Sequence, residues 1–206
     1  MANAYANTLD LMDRLGIPHG DSREGALTDL LEAASRWIDR ITGHRFYAVS
    51  ETRYYTPCSS TDLRIDDVLS ITSLTSDANG DGVYDTTWTA VTDYWLGPRN
   101  AVVNGQPYTT IHRTQLTGRY YFPGFPDGVR VTGSFGYSTL ATRPSNIREL
   151  CLIVATMNAR PLLDLTIEGA QMYKLGQELT VTMAPDQLPD RGKKLLDLYR
   201  DMALVV

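Results

Sequence analysis

Apolar residues recur at helical spacing in four parts of this chain. The most regular repeat runs from Leu27 to Ile41, and Gly43 follows it as a residue type that commonly ends helices. Shorter patterns of the same kind cover Leu9 to Leu15, Ser145 to Pro161 and a segment that begins near Asp186. The pattern therefore predicts four helices, two before and two after the middle of the chain.

Residues 46–137 follow a different pattern, in which β-branched and aromatic residues alternate with polar ones. Turn sequences rich in Asn, Asp and Gly separate the alternating stretches, as at residues 79–82. The predicted fold class is α+β, with a helical core of about four helices formed by residues 1–45 and 138–206. Residues 46–137 are inserted into this core as an antiparallel β domain. A further stretch at residues 178–183 also alternates like a strand.

Two groups of apolar residues are not explained by the packing of a single amphipathic helix face. Leu152 and Ile153 lie off the apolar stripe of the third predicted helix, so we expect a partner chain to cover them. The second group lies at residues 202–206, here the tip, which the sequence predicts to bind a partner. Its apolar residues are Met202, Leu204, Val205 and Val206. The alternative for this tip is packing onto the chain's own helices.

The composition of the chain argues against several classes of function. The 206 residues include 24 acidic and 19 basic side chains, which gives a net charge of −5. This charge disfavours a groove that binds nucleic acid. Two cysteines exclude a disulfide scaffold and a cysteine zinc site. No apolar run is long enough to cross a membrane, and the N-terminus lacks the pattern of a signal peptide. We therefore expect a protein made in the cytoplasm with no membrane partner.

Catalytic motifs are missing from the sequence. His19, His44 and His112 lack metal-ligand spacing, and no nucleophile elbow, phosphate loop or dinucleotide fingerprint is present. Cys151 lies on the apolar stripe of the third helix, where a small core residue is expected. The prediction is that the protein is not an enzyme.

One loop has the spacing of calcium ligands. Oxygen ligands stand at positions 1, 3, 5 and 9 of an EF-hand-type sequence, with a backbone carbonyl at position 7: Asp77, Asn79, Asp81, Asp85 and Val83. The bidentate Glu of position 12 is replaced by Trp88. The sequence thus predicts a weak calcium site, and the alternative is a hairpin turn that uses the same residue types.

Aromatic residues form a second local cluster. Its members are Tyr54, Tyr55, Tyr120, Tyr121 and Phe122. Exposed together they would form a platform for a sugar or a base, but little basic sequence accompanies them. Packing inside the β domain is the favoured interpretation.

Several sequence stretches are informative because of the order in which they occur along the chain. The strongest is residues 31–47, LEAASRWIDRITGHRFY, in which a helix ends in glycine, basic and aromatic residues. The others are Glu51-Thr52, residues 69–74, 88–98 and 129–137, a helix from Pro144 to about Arg160, and residues 175–183. Together they cover Leu27 to Tyr199 and resemble the head–tail connector, or adaptor, family of tailed bacteriophages.

The resemblance implies a structural virion protein at the head–tail interface, without catalytic residues. Such adaptors bind the portal ring, typically as a ring of twelve copies, and contact downstream stopper or tail proteins. The ring extends a channel through which DNA passes without specific binding. Two other functions stay open at this point: a ligand- or carbohydrate-binding β module of a virion, and an unrecognised hydrolase.

Overall fold

The protein folds as two compact units. The computed structural model describes residues 3–114, 121–164 and 184–199. Met1–Phe46 and Thr142–Val206 form one unit, here the helical unit, and Tyr47–Ala141 form the other, the β unit. The predicted break at residues 45/46 lies one residue from the first boundary, whereas the break at 137/138 lies four residues before the second. The α+β class predicted from the sequence is confirmed.

Four α-helices form the described part of the helical unit. They are α1 (Thr8–Leu15), α2 (Glu24–Thr42), α3 (Ser145–Asp164) and α4 (Asp190–Asp197), with a 3-10 turn at Pro185–Gln187. Asn7 caps α1 by accepting a hydrogen bond from the Leu9 amide, and Gly16 ends it in the left-handed conformation. Gly43 ends α2 with a φ of 74°. The predicted stop at Gly43 is therefore confirmed.

The bounds of α3 and α4 differ from the sequence prediction at two prolines. α3 continues past Pro161 to Asp164, since the φ of about −65° to which the proline ring is fixed is itself helical. α4 begins after Pro189 rather than near Asp186, since the preceding residues form the separate 3-10 turn. The strand-like stretch at residues 178–183 lies outside the described residues.

The core of the helical unit is apolar and centres on α2 and α3. Its fully buried side chains include Leu31, Ala34, Ile38, Ile147, Leu150, Cys151 and Val154. Burial raises the pKa of the Cys151 thiol to about 11, and its sulfur lies 3.5 Å from the Ser35 hydroxyl. Cys151 is thus a core residue, as its position on the apolar stripe predicted.

The β unit is one antiparallel sheet of six strands. The strands are β1 (Val49–Tyr55), β2 (Asp62–Ser76), β3 (Thr86–Trp88), β4 (Tyr94–Gly97), β5 (Tyr108–Arg113) and β6 (Val129–Phe135). Their order across the sheet is β1-β6-β2-β5-β4, and β3 pairs with the end of β2. The apolar residues of alternate positions meet in one core that includes Leu63, Val68, Leu74, Trp88, Ile111, Val131 and Phe135.

The long strand β2 changes partner along its length. Its first half pairs with β5, and from Val68 onward it pairs with β6. Register shifts occur between Val68 and Ser70 and between Ile71 and Ser73. At this place a Cβ on Gly133 would lie 2.3 Å from the Ser70 carbonyl oxygen. Close contact between two backbones therefore requires glycine at this position.

Candidate functional site

The Asp77 carboxylate organises the loop that was predicted to bind calcium. Asp77 Oδ1 accepts hydrogen bonds from the amides of Asn79, at 3.1 Å, and Gly80, at 2.6 Å. Its Oδ2 accepts one from Gly82 N at 2.8 Å. Both glycines adopt positive φ, as a tight turn of this kind requires. Both carboxylate oxygens of Asp77 thus accept backbone hydrogen bonds.

The side chains of the other predicted calcium ligands contact different partners. Asp81 Oδ1 accepts a hydrogen bond from the Val83 amide, and Asp81 Oδ2 accepts one from the side-chain amide of Asn79 at 3.0 Å. Asp85 is exposed and accepts a hydrogen bond from the Thr86 hydroxyl. Asp77, Asn79 and Asp81 therefore belong to one turn, in which backbone and side-chain donors contact the carboxylate oxygens.

Electrostatics favour an ionised Asp77. Burial acts to raise the pKa of its carboxyl, but the amides of Gly82, Gly80 and Asn79 together hold that pKa below the usual value. Over residues 3–114, 121–164 and 184–199, no group of three or more His, Cys, Asp or Glu side chains is arranged to hold a metal ion. Calcium binding by this loop stays a prediction.

A second loop contacts the Asp77 loop. The Asp77 amide donates a hydrogen bond to the Gly128 carbonyl at 2.9 Å, and the Tyr84 hydroxyl donates one to the Asp127 carbonyl at 2.7 Å. The Phe125 ring lies against Gly80, where a Cβ would be 3.6 Å from ring carbons. The two loops therefore form one end of the β unit.

Leu152 and Ile153, which were predicted to bind a partner because they lie off the apolar stripe of α3, are buried within the chain. Each is 7% exposed within the chain alone. A Cβ on Gly192 of α4 would lie 3.5 Å from Ile153 Cγ2, so α4 approaches α3 at this point. Cover that was expected from another protein thus comes from within the helical unit. The other predicted contact residues lie outside the described part of the chain: Met202, Leu204, Val205 and Val206.

A cluster around His112 was not predicted from the sequence. His112 Nδ1 lies 2.5 Å from Asp62 Oδ1, and the His112 ring stacks on Trp95 with centroids 4.0 Å apart. The guanidinium of Arg99 lies 4.6 Å from the centre of the Trp95 ring. β2, β4 and β5 bring these residues together from separate parts of the sequence. No local spacing in the sequence indicates this arrangement.

The geometry of His112 does not suit general-base catalysis. Its Nδ1 faces Asp62, so a nucleophile would have to lie at Nε2. That atom faces Gly97, where even a Cβ would be 2.5 Å away. The Gly97 backbone therefore lies where a nucleophile would approach Nε2, and this pair does not support the hydrolase alternative.

The aromatic cluster divides into separate contacts. Phe122 is buried and stacks on Trp88 with ring centres 4.6 Å apart, while Tyr54 contacts Tyr84 at 5.7 Å. The Arg113 guanidinium lies over the Tyr121 ring at 4.0 Å. Tyr120 lies outside the described residues. The described members therefore form no single platform.

Comparison with solved structures identifies the fold. A neck chain of an empty gene transfer agent particle, computed with C6 symmetry, matches with a TM-score of 0.59 and 18% identity, covering 95% of this chain and 89% of that chain. The chain has the fold of these neck chains. A chain from the virion of the native particle matches with a TM-score of 0.54 and 18% identity, covering 95% and 89%. A neck chain of the native particle, computed with C12 symmetry, matches with a TM-score of 0.53 and 17% identity, covering 94% and 87%.

The neck fold extends over both units of the chain, because the matches cover 94–95% of it. No family model and no curated protein matches the sequence. Among the described residues, no helix is both long and apolar enough to cross a bilayer. At the level of the fold, the resemblance to phage connectors predicted from the sequence is confirmed.

Proposed function

We propose that this protein is a structural component of the neck of a tailed phage or phage-like particle. In this role it is a head–tail adaptor that binds the portal ring, assembles there with further copies of itself, and extends the DNA channel toward stopper or tail proteins. The proposal places the protein in the virion at the head–tail interface. It assigns no catalytic activity to the chain.

The likeness over nearly the full length of a particle neck chain carries this proposal. Two solved neck structures with this fold were computed with C6 and C12 symmetry, which supports a ring of copies. Ring formation by rotation requires two different surfaces on each copy that fit one another. A ring of twelve copies is the state we expect on a portal.

Charge supports a passive DNA channel. With a net charge of −5 per chain, a ring of many copies repels or tolerates duplex DNA rather than gripping it. The isolated protein should therefore show no tight, salt-sensitive binding to free duplex DNA. Fluorescence anisotropy with a labelled duplex at low and high salt measures this, and a steep salt dependence would contradict the channel role.

Reconstitution with portal tests the adaptor role. The purified protein is mixed with portal rings from the same particle and imaged by negative stain, and an added ring of density on the portal is expected. A matched sample uses portal with an unrelated protein of similar size and charge. If no added density appears, and if particles contain the protein elsewhere than the neck by antibody labelling, the proposal is wrong.

Two surfaces are proposed for partner contacts. The apolar chain end, Leu204-Val205-Val206 together with Met202, is proposed to dock into a groove of the portal. The helix face at Leu152 and Ile153 is a weaker candidate, because both residues are already buried within the chain alone. Binding of calcium at Asp77, Asn79, Asp81, Val83 and Asp85 is proposed only as a peripheral stabilising feature.

A further inference from the structure

The N-terminal segment Asn3–Ala6, here the strap, is fixed in the helical unit although it has no regular secondary structure. Tyr5 is fully buried and Ala6 is 8% exposed. The Tyr5 amide donates a hydrogen bond to the Ser35 hydroxyl at 2.9 Å. The strap therefore has a specific position in the helical unit.

The strap contacts the residue at which the chain leaves the helical unit. Phe46 is the last residue of this unit before the β unit begins at Tyr47. The Phe46 amide donates a hydrogen bond to the Tyr5 hydroxyl at 2.8 Å, and the same hydroxyl donates a hydrogen bond to the Asp39 carboxylate. The rings of Tyr5 and Phe46 also meet edge to face, with centres 5.8 Å apart.

The strap also contacts the place where the chain returns to the helical unit. This unit resumes at Thr142, and the next residue, Arg143, donates a hydrogen bond to the Ala4 carbonyl at 3.5 Å. The Arg143 guanidinium lies 5.7 Å from the centre of the Tyr5 ring. Burial lowers the pKa of Arg143, which agrees with a side chain held inside the unit.

The two connections are neighbours on the β unit as well. Val49 of β1 pairs with Phe135 of β6, so the chain enters and leaves this unit on adjacent strands. A Cβ on Gly136 would lie only 2.2 Å from the Tyr47 carbonyl oxygen. The chain therefore crosses between the units through two adjacent connections, and the strap contacts the helical end of each.

We propose that the strap is a conformational latch that holds both connections between the units. While Tyr5 is in place, Phe46 and Arg143 are fixed to the helical unit. When the strap leaves, both connections gain freedom while the helices keep their own core. The strap suits this role because it lies outside the helices of the unit, and segments without regular secondary structure open at a lower free energy than packed helices.

Hydrogen exchange on the full-length protein tests the latch. Tyr5→Phe keeps the ring and removes the hydroxyl, and Tyr5→Ala removes both. For Tyr5→Phe we expect the exchange rate of the Phe46 amide to rise about tenfold, as loss of one buried hydrogen bond implies. For Tyr5→Ala we expect exchange at residues 44–48 and at 142–143 to rise by more than exchange at Leu27–Leu31 in α2, which rises only as far as global stability falls. Tyr54→Phe, which removes an exposed tyrosine hydroxyl of the β unit, is the matched control.

Limited proteolysis gives an independent measurement. Trypsin cleaves after Arg45, which directly precedes the proposed latch contact at Phe46. Cleavage there should be faster in Tyr5→Ala than in the wild type or in Tyr54→Phe. Unchanged exchange at residues 44–48 and 142–143 would overturn the proposal. An equal rise at Leu27–Leu31 would also overturn it, because Tyr5 would then be an ordinary core residue.

Discussion

The hydroxyl of Tyr5 donates a hydrogen bond to the carboxylate of Asp39, a residue 34 positions later in the chain. The same hydroxyl accepts a hydrogen bond from the Phe46 amide at 2.8 Å. Burial raises the pKa of both side chains above their ordinary values, although Tyr5, Arg36 and Arg45 act to lower that of Asp39. One buried tyrosine thus joins the N-terminus to the end of α2.

This contact predicts a loss of stability at alkaline pH. An unfolded tyrosine ionises near pH 10, at about its ordinary pKa, whereas burial and the Asp39 charge keep folded Tyr5 protonated above that pH. The unfolded state therefore binds fewer protons, and the free energy of unfolding falls as pH rises above about 10. Urea unfolding between about pH 8 and pH 11 measures the slope.

Tyr5→Phe should reduce that slope. The substitution also lowers the free energy of unfolding at neutral pH by about 2 kcal/mol, because Asp39 and the Phe46 amide each lose a partner. Burial raises the pKa of Tyr55 and Tyr94 as well, so part of the slope remains. If Tyr5→Phe and wild type show the same alkaline slope, Tyr5 is not responsible for it.

Asp77→Ala should lower the melting temperature more than Asp85→Ala. Asp77 accepts hydrogen bonds from three backbone amides, whereas exposed Asp85 accepts one from its neighbour Thr86. Asp77→Asn, which keeps one acceptor oxygen, should give an intermediate value. Differential scanning calorimetry measures all three, and equal melting temperatures for Asp77→Ala and Asp85→Ala would contradict this account.

The Asp77 loop also predicts an acid-sensitive contribution to stability. Its backbone donors hold the pKa of Asp77 below that of an unfolded aspartate, so the contribution is complete above a pH of about 4. It is lost as pH falls through the lower pKa of the folded state. In Asp77→Asn this part of the acid dependence should disappear, which urea unfolding between about pH 2 and pH 5 measures.

Calcium gives a separate test of the same loop. If the predicted ligands bind calcium, millimolar calcium raises the melting temperature and a chelator lowers it, by mass action on the folded state. Asp81→Ala should abolish that difference while the protein still folds. A melting temperature that does not change with calcium would identify the loop as a hydrogen-bonded turn.

Gly133→Ala tests the bend of β2. A Cβ at this position would lie 2.3 Å from the Ser70 carbonyl oxygen and 3.2 Å from the Ile71 Cα, so two backbones must separate. We expect the free energy of unfolding to fall by about 3 kcal/mol. Gly124→Ala is the matched control, because its Cβ would meet no atom within 4 Å. Similar urea midpoints for the two variants would mean that β2 and β6 tolerate the methyl group.

Deletion of residues 204–206 tests the proposed contact with portal. The deletion removes three apolar side chains, so we expect folding to be intact and the affinity for portal to fall by about tenfold or more. Circular dichroism and binding to immobilised portal rings are the two measurements. A lower melting temperature with unchanged portal affinity would instead indicate that the tip packs on its own helices.

The sequence by itself determined the elements and the fold class. Helical spacing from Leu27 to Ile41 and the stop at Gly43 predicted α2, and the alternation in residues 46–137 predicted the antiparallel β unit. These features follow from local spacing, since each helix or strand must turn its apolar side chains to one face. The same order of elements predicted the connector resemblance, which the solved neck chains confirm at the level of the fold.

Only the tertiary structure decided which residues meet. Leu152 and Ile153 were expected to need a partner, but α4 packs at this face, which the spacing within α3 alone does not reveal. His112 reaches Asp62, 50 residues away, only because β2 and β5 are paired. Tyr5 likewise meets Phe46 and Arg143 through packing of distant segments. The physical reason is that local spacing sets which face of an element is apolar, whereas packing of distant elements sets what covers that face.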